Sequence, residues 1–377
     1  MICAADIFTR ISKFLPGTQA VALTKLDEQP DLPSLHYRYS ISKPFFPSIW
    51  DNFKLISFYT LVSLRLITQQ HYTIVHHLFP FRIGRTFNPL FLIPGLKIKK
   101  IIGPVMVSVD YDNKDLKKNS FFATNENPVF NLLINFFDPL FALLSKATLL
   151  RGDHVIALNE VAKQELIKFG VPSPRITVIP IGIDTQKFSF TPYNKKNNHI
   201  FHLLTLGYLT KRKGTELLLK SLVRIIEKYP KVHLTIIGDG PQKSELEDLA
   251  CQLDIDSHVT FAGFVKYADL EKYYQRSHVL VSMSRAESWG QVYLDAMACG
   301  LAIITSKNDG SNEIIKDGQF GYLVEQEDVA GLTGKVNYLI SHPKLVDRFG
   351  KAARREIKRK YDWDRIVISQ YLGLYER

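Results

Sequence analysis

Short apolar runs recur along the chain, and each is followed by a turn and then by apolar residues at helical spacing. Such runs predict parallel strands that are buried on both faces, and the segments between them predict crossover helices. In the first half the predicted strands cover residues 19–24, 73–76, 101–109, 154–158 and 176–179. After a polar stretch at 188–198, further strands are predicted at 201–206, 233–237, 259–261, 278–281, 302–305 and 322–324. The pattern therefore predicts an α/β protein with two doubly wound domains, hinged near residues 183–198.

The two ends of the chain have patterns of their own. Residues 7–14 have helical spacing and precede the first predicted strand, although a doubly wound domain normally opens with a strand and a glycine-bearing turn. We therefore expect the first domain to lack its first strand and turn, a unit of about 20 residues. At the other end, residues 362–375 predict a closing helix.

The composition is that of a globular protein. The chain has 377 residues, of which 46% are hydrophobic and 23% charged, enough for two domains of ordinary size. Cys3, Cys251 and Cys299 are scattered and have no CxxC spacing, so neither a disulfide framework nor a cysteine zinc site is predicted. The first residues lack a basic segment, and Asp6 interrupts the apolar stretch, so no signal peptide is expected. We expect a cytoplasmic protein.

A net charge of +11 indicates an anionic partner: a nucleotide, an acidic membrane face or a nucleic acid. Nucleic acid is the least favoured because the chain has no RNP-type motif and no zinc-finger spacing. The most apolar region, residues 128–150, is interrupted by polar residues, which favours a buried or interfacial helix over a membrane span. With the basic tract at 97–100 this region could make peripheral contact with the inner face of a membrane, but core packing is the favoured alternative.

The stretch ESWGQVYLDAMACG at residues 287–300 sets two carboxylates, Glu287 and Asp295, eight positions apart around a glycine turn. An apolar strand precedes it and residues 292–299 have helical spacing, so residues 288–291 are predicted to be a strand-to-helix turn. Free amides at a helix start attract phosphate oxygens, and carboxylates accept hydrogen bonds from sugar hydroxyls. The alternative is an acidic residue in a loop and another on a solvated helix face.

A second candidate is the basic turn of residues 207–214, which follows a predicted strand and precedes a predicted helix at 215–228. Lys211, Arg212 and Lys213 at a helix start suit a diphosphate, although a solvated basic loop is the alternative. Glycine turns at 238–241, 263–265 and 308–313 end other predicted strands, and the last has Glu313 at a predicted helix start. Glycines in such turns serve backbone geometry more often than ligand contacts.

Taken in order, these turns resemble the retaining glycosyltransferases of family 4, the group 1 glycosyl transferases, which have the GT-B fold. The matching segments are 153–160, 178–184, 213–214, 237–241, 287–300, 310–313 and 361–364. The resemblance implies two doubly wound Rossmann-like domains that face a central cleft. Residues 1–185 would form the acceptor-side domain, with the closing helix at 363–377 packing back onto it, and residues 186–362 would bind the donor.

The resemblance also implies a role for individual residues. Lys213 would meet the donor diphosphate, Phe264 and Val265 would border the base, and Asp295 would hold the ribose. Glu287 would bind hydroxyls of the transferred sugar and, with Lys213, form the catalytic pair. The rest of the implied donor-binding set is Gly207, Arg212, Gly290, Gln291 and Val292. The chain departs from the family at two positions. It has Asp295 where Glu is usual, which is one methylene shorter, and Tyr208 where Arg is usual.

The implied reaction is transfer of a sugar, with retention, from a nucleotide diphosphate sugar to a hydroxyl of a glycan or lipid-linked acceptor, in glycan, polysaccharide or glycolipid synthesis. No metal or other cofactor is expected. Two DxD tripeptides, 110–112 and 254–256, are interpreted as coincidence. The alternatives are a degenerate GT-B protein that binds nucleotide or a partner without transfer, and a nucleotide-sugar epimerase.

Overall fold

The computed structural model describes residues 10, 11, 13, 20–25, 35–41, 61, 64, 65, 68, 73–78, 81–82, 87–95, 97–106, 128–195 and 199–376. These residues belong to two compact units. Unit 1 holds the described residues up to 106 together with 128–181 and 367–376, and unit 2 begins at Gly182 and ends at Ile366. The sequence-based bounds for the second domain are 186 and 362. The expected loss of an opening strand concerns residues that lie almost entirely outside those described, as does the DxD at 110–112.

Unit 1 contains a parallel sheet of five strands, ordered β3-β5-β6-β7, with β4 paired to the second half of β5. A separate two-stranded parallel sheet joins β1 to β2. The strands of unit 1 are β1 (Ala20–Lys25), β2 (Leu35–Ile41), β3 (Ile74–His77), β4 (Phe81–Arg82), β5 (Lys99–Met106), β6 (His154–Ala157) and β7 (Ile176–Val178). The sequence analysis missed β2, although its apolar and polar residues alternate with the period of a strand, and β4, which is too short to show a period.

The helices connect and flank the strands. They are α1 (Pro89–Leu92), α2 (Pro128–Arg151), α3 (Glu160–Lys168), α4 (Thr215–Lys228), α5 (Lys243–Gln252), α6 (Leu270–Arg276), α7 (Gln291–Ala298), α8 (Asp309–Ile314), α9 (Val329–Ser341), α10 (Pro343–Glu356) and α11 (Ile368–Glu376). The predicted helix at 215–228 is confirmed at both ends. The closing helix predicted at 362–375 is found, but its first five residues, Trp363–Val367, form a π-helix that continues into α11.

Helix α2 contains the apolar region of the sequence analysis. Its carboxyl-terminal half buries Thr148 and Leu149 in unit 1 and leaves Leu140, Leu143 and Leu150 exposed. Core packing therefore accounts for one face of this half and leaves its exposed leucines unexplained. Among the helices that the structure describes, none combines the length and the apolar content that a membrane span needs.

Helix α11 lies in unit 1 with the sheet, although it follows unit 2 in the chain. Lys99 on β5 donates through Nζ to the carbonyl oxygen of Leu374 at 2.6 Å, and His76 Nδ1 lies 2.5 Å from Tyr375 Oη. The neighbouring His77 contacts the Asn88 side chain at 3.1 Å. Burial lowers the pKa of His76 to about 3 and that of His77 to about 4, so both imidazoles are neutral structural groups.

Unit 2 is built on one parallel sheet of six strands with the order β10-β9-β8-β11-β12-β13. Its strands are β8 (Phe201–Leu206), β9 (Val232–Ile237), β10 (Val259–Gly263), β11 (Val279–Ser282), β12 (Ala302–Ser306) and β13 (Gly321–Val324). Numbered from the first strand of the unit, this order is 3-2-1-4-5-6, the doubly wound arrangement expected from the sequence. The order reverses between β8 and β11, and ligands of open α/β sheets bind beyond the carboxyl ends of the strands at that point.

The core of unit 2 follows from the apolar runs of these strands and from amphipathic helices that cover them. Leu218, Leu219 and Leu222 of α4 are buried against the sheet. Arg354 of α10 is a polar clamp: its guanidinium donates to the carbonyl oxygens of Thr185, Phe188 and Ala298 at 2.9 Å each. The chain segment that opens unit 2 is thereby fixed to the helix that follows β11.

Candidate active site

The loop after β8 brings the basic turn to the switch point of the sheet. Lys211–Lys213 form one turn of 3-10 helix that ends at Gly214, whose φ of 61° lies in the left-handed region. A Cβ atom at Gly214 would lie 2.2 Å from the carbonyl oxygen of Met283, so the loops after β8 and β11 touch through their backbones. Glycine is required here because it permits this contact and the entry into α4.

The loop after β9 is locked to the loop after β8. The amide of Gly207 donates to Ile237 and that of Leu209 donates to Asp239, at 3.0 and 2.8 Å. A Cβ atom at Gly238 would lie 1.9 Å from the carbonyl oxygen of Gly207, a contact that no side chain could make. Gly238 therefore serves a close approach of two backbones.

The basic turn and the first carboxylate form an ion pair. Lys213 Nζ lies 2.5 Å from Glu287 Oε2, and Arg212 Nη1 lies 3.7 Å from the same oxygen. The side chains of Lys213 and Glu287 are only 15% and 20% exposed, so solvent screens their attraction less than at an open surface. Arg212 also donates to the carbonyl oxygen of Ala286 at 2.6 Å. Two cations thus converge on one carboxylate. The alternative interpretation, in which the basic turn and Glu287 both lie on solvated surfaces, is therefore wrong.

A buried polar network fixes the loop that carries Glu287. The Ser306 hydroxyl and the Asn308 amide both donate to the carbonyl oxygen of Ser284, at 2.6 and 2.9 Å. The backbone amide of Gly310 donates to the carbonyl oxygen of Glu287 at 2.7 Å. These contacts hold the loop at Ser284 and at Glu287 itself, which restricts where the Glu287 carboxylate can point.

The turn at 308–313 differs from the sequence-based expectation. Asn308 is the N-cap of α8 and forms a capping box with Ser311, so the helix begins at Asp309. Glu313 lies in the last turn of this helix, and its expected place at the helix start is wrong. The signal for the cap was the pattern N-x-x-S at the end of a strand, which was available in the sequence.

Arg285 is a further cation of this loop that sequence reasoning missed. Its guanidinium bonds Glu216 at the start of α4 at 2.7 Å and Glu327 at 2.6 Å, and it also donates to the carbonyl oxygen of Lys211. Arg285 therefore ties the loop after β11 to the basic turn beside Arg212 and Lys213.

Helix α7 begins where the glycine turn was predicted. Gly290 is its N-cap with a φ of 87°, and a Cβ atom there would lie 2.4 Å from the ring of Tyr293. The hydroxyl of Tyr293 lies 2.9 Å from Thr305 Oγ1, inside the unit. The buried tyrosine fixes the first turn of α7, so the amides at Gly290 and Gln291 are held at the carboxyl edge of the sheet.

Asp295 lies one turn further along α7, and only 2% of it is exposed. Its Oδ1 accepts a hydrogen bond from Gln291 Nε2 at 3.0 Å and a longer one from the Tyr267 hydroxyl at 3.4 Å. Burial raises the pKa of Asp295 to about 7, although both hydrogen bonds and the charge of Lys187 act in the opposite direction. The alternative that Asp295 lies on a solvated helix face is therefore wrong.

The remaining predicted residues are more loosely placed. Phe264 follows β10 and is 78% exposed, while Val265 and Val292 are half-buried. A Cβ atom at Gly263 would meet nothing within 4 Å, so this turn is open. No hydrogen bond or ion pair of the described residues links these positions to the Lys213–Glu287 pair. The structure therefore joins Gly207, Arg212, Lys213 and Glu287 in one group and Gly290, Gln291 and Asp295 in another. The base-side turn is joined to the loop after β9, because the Gly238 amide donates to the carbonyl oxygen of Gly263 at 2.8 Å.

The second DxD tripeptide lies away from this site. Asp254 and Asp256 are exposed and precede β10, whereas the site follows the carboxyl ends of the strands. In the described part of the chain, no three His, Cys, Asp or Glu side chains are grouped so that they could hold a metal ion. That the reaction needs no metal stays a prediction.

Two family models match the chain. Residues 186–356 match "Glycosyl transferases group 1" and residues 124–187 match "Glycosyltransferase Family 4". Spore coat protein SA of Bacillus subtilis is 36% identical over 186 residues, which are 46% of this chain and 48% of that protein. Alpha-monoglucosyldiacylglycerol synthase of Streptococcus pneumoniae is 29% identical over 191 residues, 48% of this chain and 43% of that enzyme. The chain spans about half the length of these curated relatives.

The fold is shared with solved glycosyltransferase structures. The crystal structure of Alr3699/HepE from Anabaena, in complex with UDP and glucose, superposes with a TM-score of 0.67 at 16% identity. The match covers 99% of this chain and 96% of HepE. The predicted GT-B fold is thereby confirmed. Two parts of the chain, residues 186–356 and 124–187, thus resemble glycosyltransferases, and the chain shares the GT-B fold.

Proposed function

We propose that the protein transfers a sugar from a nucleoside diphosphate sugar to an acceptor hydroxyl with retention of the anomeric configuration. The observation that carries this proposal is the ion pair of Lys213 with Glu287, joined by Arg212, at the switch point of the unit 2 sheet. Cations suit a diphosphate and a carboxylate suits sugar hydroxyls, so the pair supplies adjacent contacts for both halves of such a donor.

The other site residues extend this assignment along the donor. The diphosphate binds Lys213 and Arg212, which frees the Glu287 carboxylate to accept hydrogen bonds from the sugar. The amides at Gly290 and Gln291 face the carboxyl edge of the sheet and donate to the sugar or its phosphate. The ribose lies at the Asp295 end of α7 and the base at the open turn of Phe264.

The proposed chemistry is departure of the diphosphate and attack by the acceptor on the same face of the sugar. The bond between the anomeric carbon and the phosphate oxygen breaks, a bond to the acceptor oxygen forms, and the acceptor proton passes to the departing phosphate. The charge that develops on the phosphate is stabilised by Lys213, Arg212 and the α7 amides. Removal of one such donor commonly lowers kcat by about 10²–10³-fold.

Unit 1 is the proposed acceptor side, and its helix α2 supports a lipid-linked acceptor at the cytoplasmic face of a membrane. Leu140, Leu143 and Leu150 are 48%, 64% and 38% exposed, and their spacing of three and seven residues puts them on one face. Lys146 and Arg151 are exposed on the same half of the helix. Apolar side chains flanked by cations fit an anionic bilayer surface. The glycolipid synthase among the relatives agrees with this class of acceptor.

The test is a transfer assay with a panel of nucleoside diphosphate sugars and glycan or lipid-linked acceptors, read by mass spectrometry. Wild type should form a glycosylated acceptor with the donor's anomeric configuration. Glu287→Gln should remain folded but abolish transfer, with the Tm lowered only by the loss of the ion pair with Lys213. Glu216→Gln is the matched control, because Glu216 is equally buried but pairs with Arg285 instead of Lys213. Transfer at the wild-type rate by Glu287→Gln would overturn the assignment.

A second candidate function is nucleotide binding without transfer, favoured by the shortened and deeply buried Asp295. It predicts that calorimetry detects nucleoside diphosphate binding while the donor panel gives neither transfer nor hydrolysis. Conversion of a donor to its epimer without an acceptor would instead identify an epimerase.

A further inference from the structure

The carboxylate of Asp295 is held from two directions. Gln291 lies four residues earlier on the same face of α7, and Tyr267 comes from the segment between β10 and α6. Both donate to Oδ1, and no hydrogen bond within the described part of the chain engages Oδ2. One donor would leave the carboxylate more freedom to rotate about its Cβ–Cγ bond, whereas two donors from separate elements restrict this rotation. Oδ2 is the oxygen that remains for a ligand.

Lys187 supports this arrangement from the segment that opens unit 2. Its Nζ lies 4.2 Å from the centre of the Tyr267 ring, within the range of a cation–π contact, and Phe188 packs edge-on against the same ring at 5.2 Å. A cation over a phenol ring makes its hydroxyl a better hydrogen-bond donor. The contact therefore both fixes the Tyr267 side chain and strengthens its bond to Asp295.

We propose that Tyr267, Gln291 and Lys187 are positioning residues that hold the Asp295 carboxylate, one methylene shorter than the usual Glu, as the acceptor for a ribose hydroxyl. This inference rests on the proposed function, because it takes the ligand to be a nucleoside diphosphate. A Glu at position 295 would extend about 1.5 Å further from the helix, the length of one carbon–carbon bond. The shorter side chain lies deeper, so its direction must be set by neighbours.

The same geometry makes ribose recognition depend on pH. The titratable groups around Asp295 are Lys187 from the linker, Tyr267 from the loop, Tyr274 of α6 and Cys299 after α7, and Lys187 is the cation among them. Burial raises the pKa of Asp295 to about 7. The carboxylate is therefore ionised above neutral pH and takes up a proton as the pH falls, which weakens its bond to a hydroxyl donor. Loss of Tyr267 or Lys187 removes an effect that lowers this pKa, so the transition should move to higher pH.

The experiment measures Kd by calorimetry between pH 6 and 8.5 for UDP and for its 2′-deoxy and 3′-deoxy forms. The Kd of each deoxy form is divided by that of UDP, and GDP with its two deoxy forms is the second set of probes. A ratio is used because titration of the terminal phosphate affects both ligands equally. Wild type should prefer UDP over at least one deoxy form, by a factor that falls as the pH drops through 7. Tyr267→Phe should lower that preference about 5-fold, the effect of one ordinary hydrogen bond, and shift its midpoint upward.

Two control variants separate the outcomes. Tyr273→Phe removes a phenol hydroxyl on the neighbouring helix and should change nothing, and Asp295→Asn should make the preference independent of pH. Equal weakening of UDP and both deoxy forms by Tyr267→Phe, or an unchanged midpoint, would overturn the positioning role and leave the proposed function intact. Failure of wild type to bind any nucleoside diphosphate would overturn both.

Discussion

Replacement of Glu287 by Gln should tighten the binding of a nucleoside diphosphate that carries no sugar. In the structure Lys213 Nζ is paired with Glu287 at 2.5 Å, and Arg212 lies 3.7 Å from the same oxygen. An entering diphosphate must compete with this carboxylate for Lys213 and must also approach its negative charge. Glutamine has nearly the same shape but no charge, so the substitution removes both costs.

The magnitude follows from the exposure of the pair. Exposed ion pairs stabilise a protein by about 0.2–1 kcal/mol, and breaking a fully buried pair costs about 3–5 kcal/mol. Side chains that are 15% and 20% exposed lie between these limits, and part of the attraction survives in the Lys–Gln hydrogen bond. We therefore expect a gain of about 1–2 kcal/mol, or about 5–30-fold in Kd. The affinity for the intact donor should change less, because the sugar loses its contact with the carboxylate.

Calorimetry with UDP, GDP and ADP at pH 8 and low salt gives the required Kd values, and transfer is assayed in parallel. Tighter diphosphate binding together with lost transfer is the expected combination. Glu216→Gln, which leaves Lys213 paired, should alter neither. If Glu287→Gln weakens diphosphate binding as strongly as it lowers transfer, then Lys213 does not meet the diphosphate and the reasoning fails.

Two further predictions concern the supports of the site and of unit 1. Gly310→Ala places a Cβ atom 2.7 Å from the carbonyl oxygen of Glu287. Calorimetry should therefore show weakened diphosphate binding, and a thermal melt should show that the free energy of unfolding falls by about 1–3 kcal/mol. Gly334→Ala, whose Cβ meets nothing within 4 Å, should cost no stability, and equal effects would contradict the argument. The pKa values of His76 and His77 are lowered in the fold, so their contribution to stability is present above pH 6.5 and is lost as the pH falls towards 4. The Tm of the wild type should therefore fall over this pH range, and the Tm of a variant with Gln at both positions should fall by less than that of the wild type. A wild-type Tm that is constant from pH 6.5 to 5 would contradict this.

Much of the fold can be predicted from local patterns in the sequence. The strand, glycine turn and helix at residues 279–298 and the helix at 215–228 follow from apolar periods and turn residues, because each is determined by neighbours in the chain. The contact of Lys213 with Glu287 is different. These residues are 74 positions apart, and they meet because the order of strands in the sheet puts β8 beside β11. Only the resemblance to known glycosyltransferases placed them in one site.

The support of Asp295 was out of reach for the same reason. Tyr267 is an ordinary residue of a polar loop, and nothing in its local sequence distinguishes it from Tyr273 six residues later. Its bond to Asp295 depends on how far the loop after β10 reaches across the ends of β9 and β8 towards α7. Such distances are set by tertiary packing, which a single sequence does not record.

The backbone contact between Gly207 and Gly238 divides the site into a fixed side and an adjustable side. No side chain larger than hydrogen fits at Gly238, so the loops proposed to hold the diphosphate have little freedom to vary in length or sequence. The turn at Gly263 and Phe264 has open space around it. Gly263 itself has a φ of 64° and should remain glycine. A change in the nucleotide preference of the proposed donor site should therefore accumulate in residues 264–266, while the loops after β8 and β9 stay constant. A library confined to residues 264–266 would be the economical way to alter that preference.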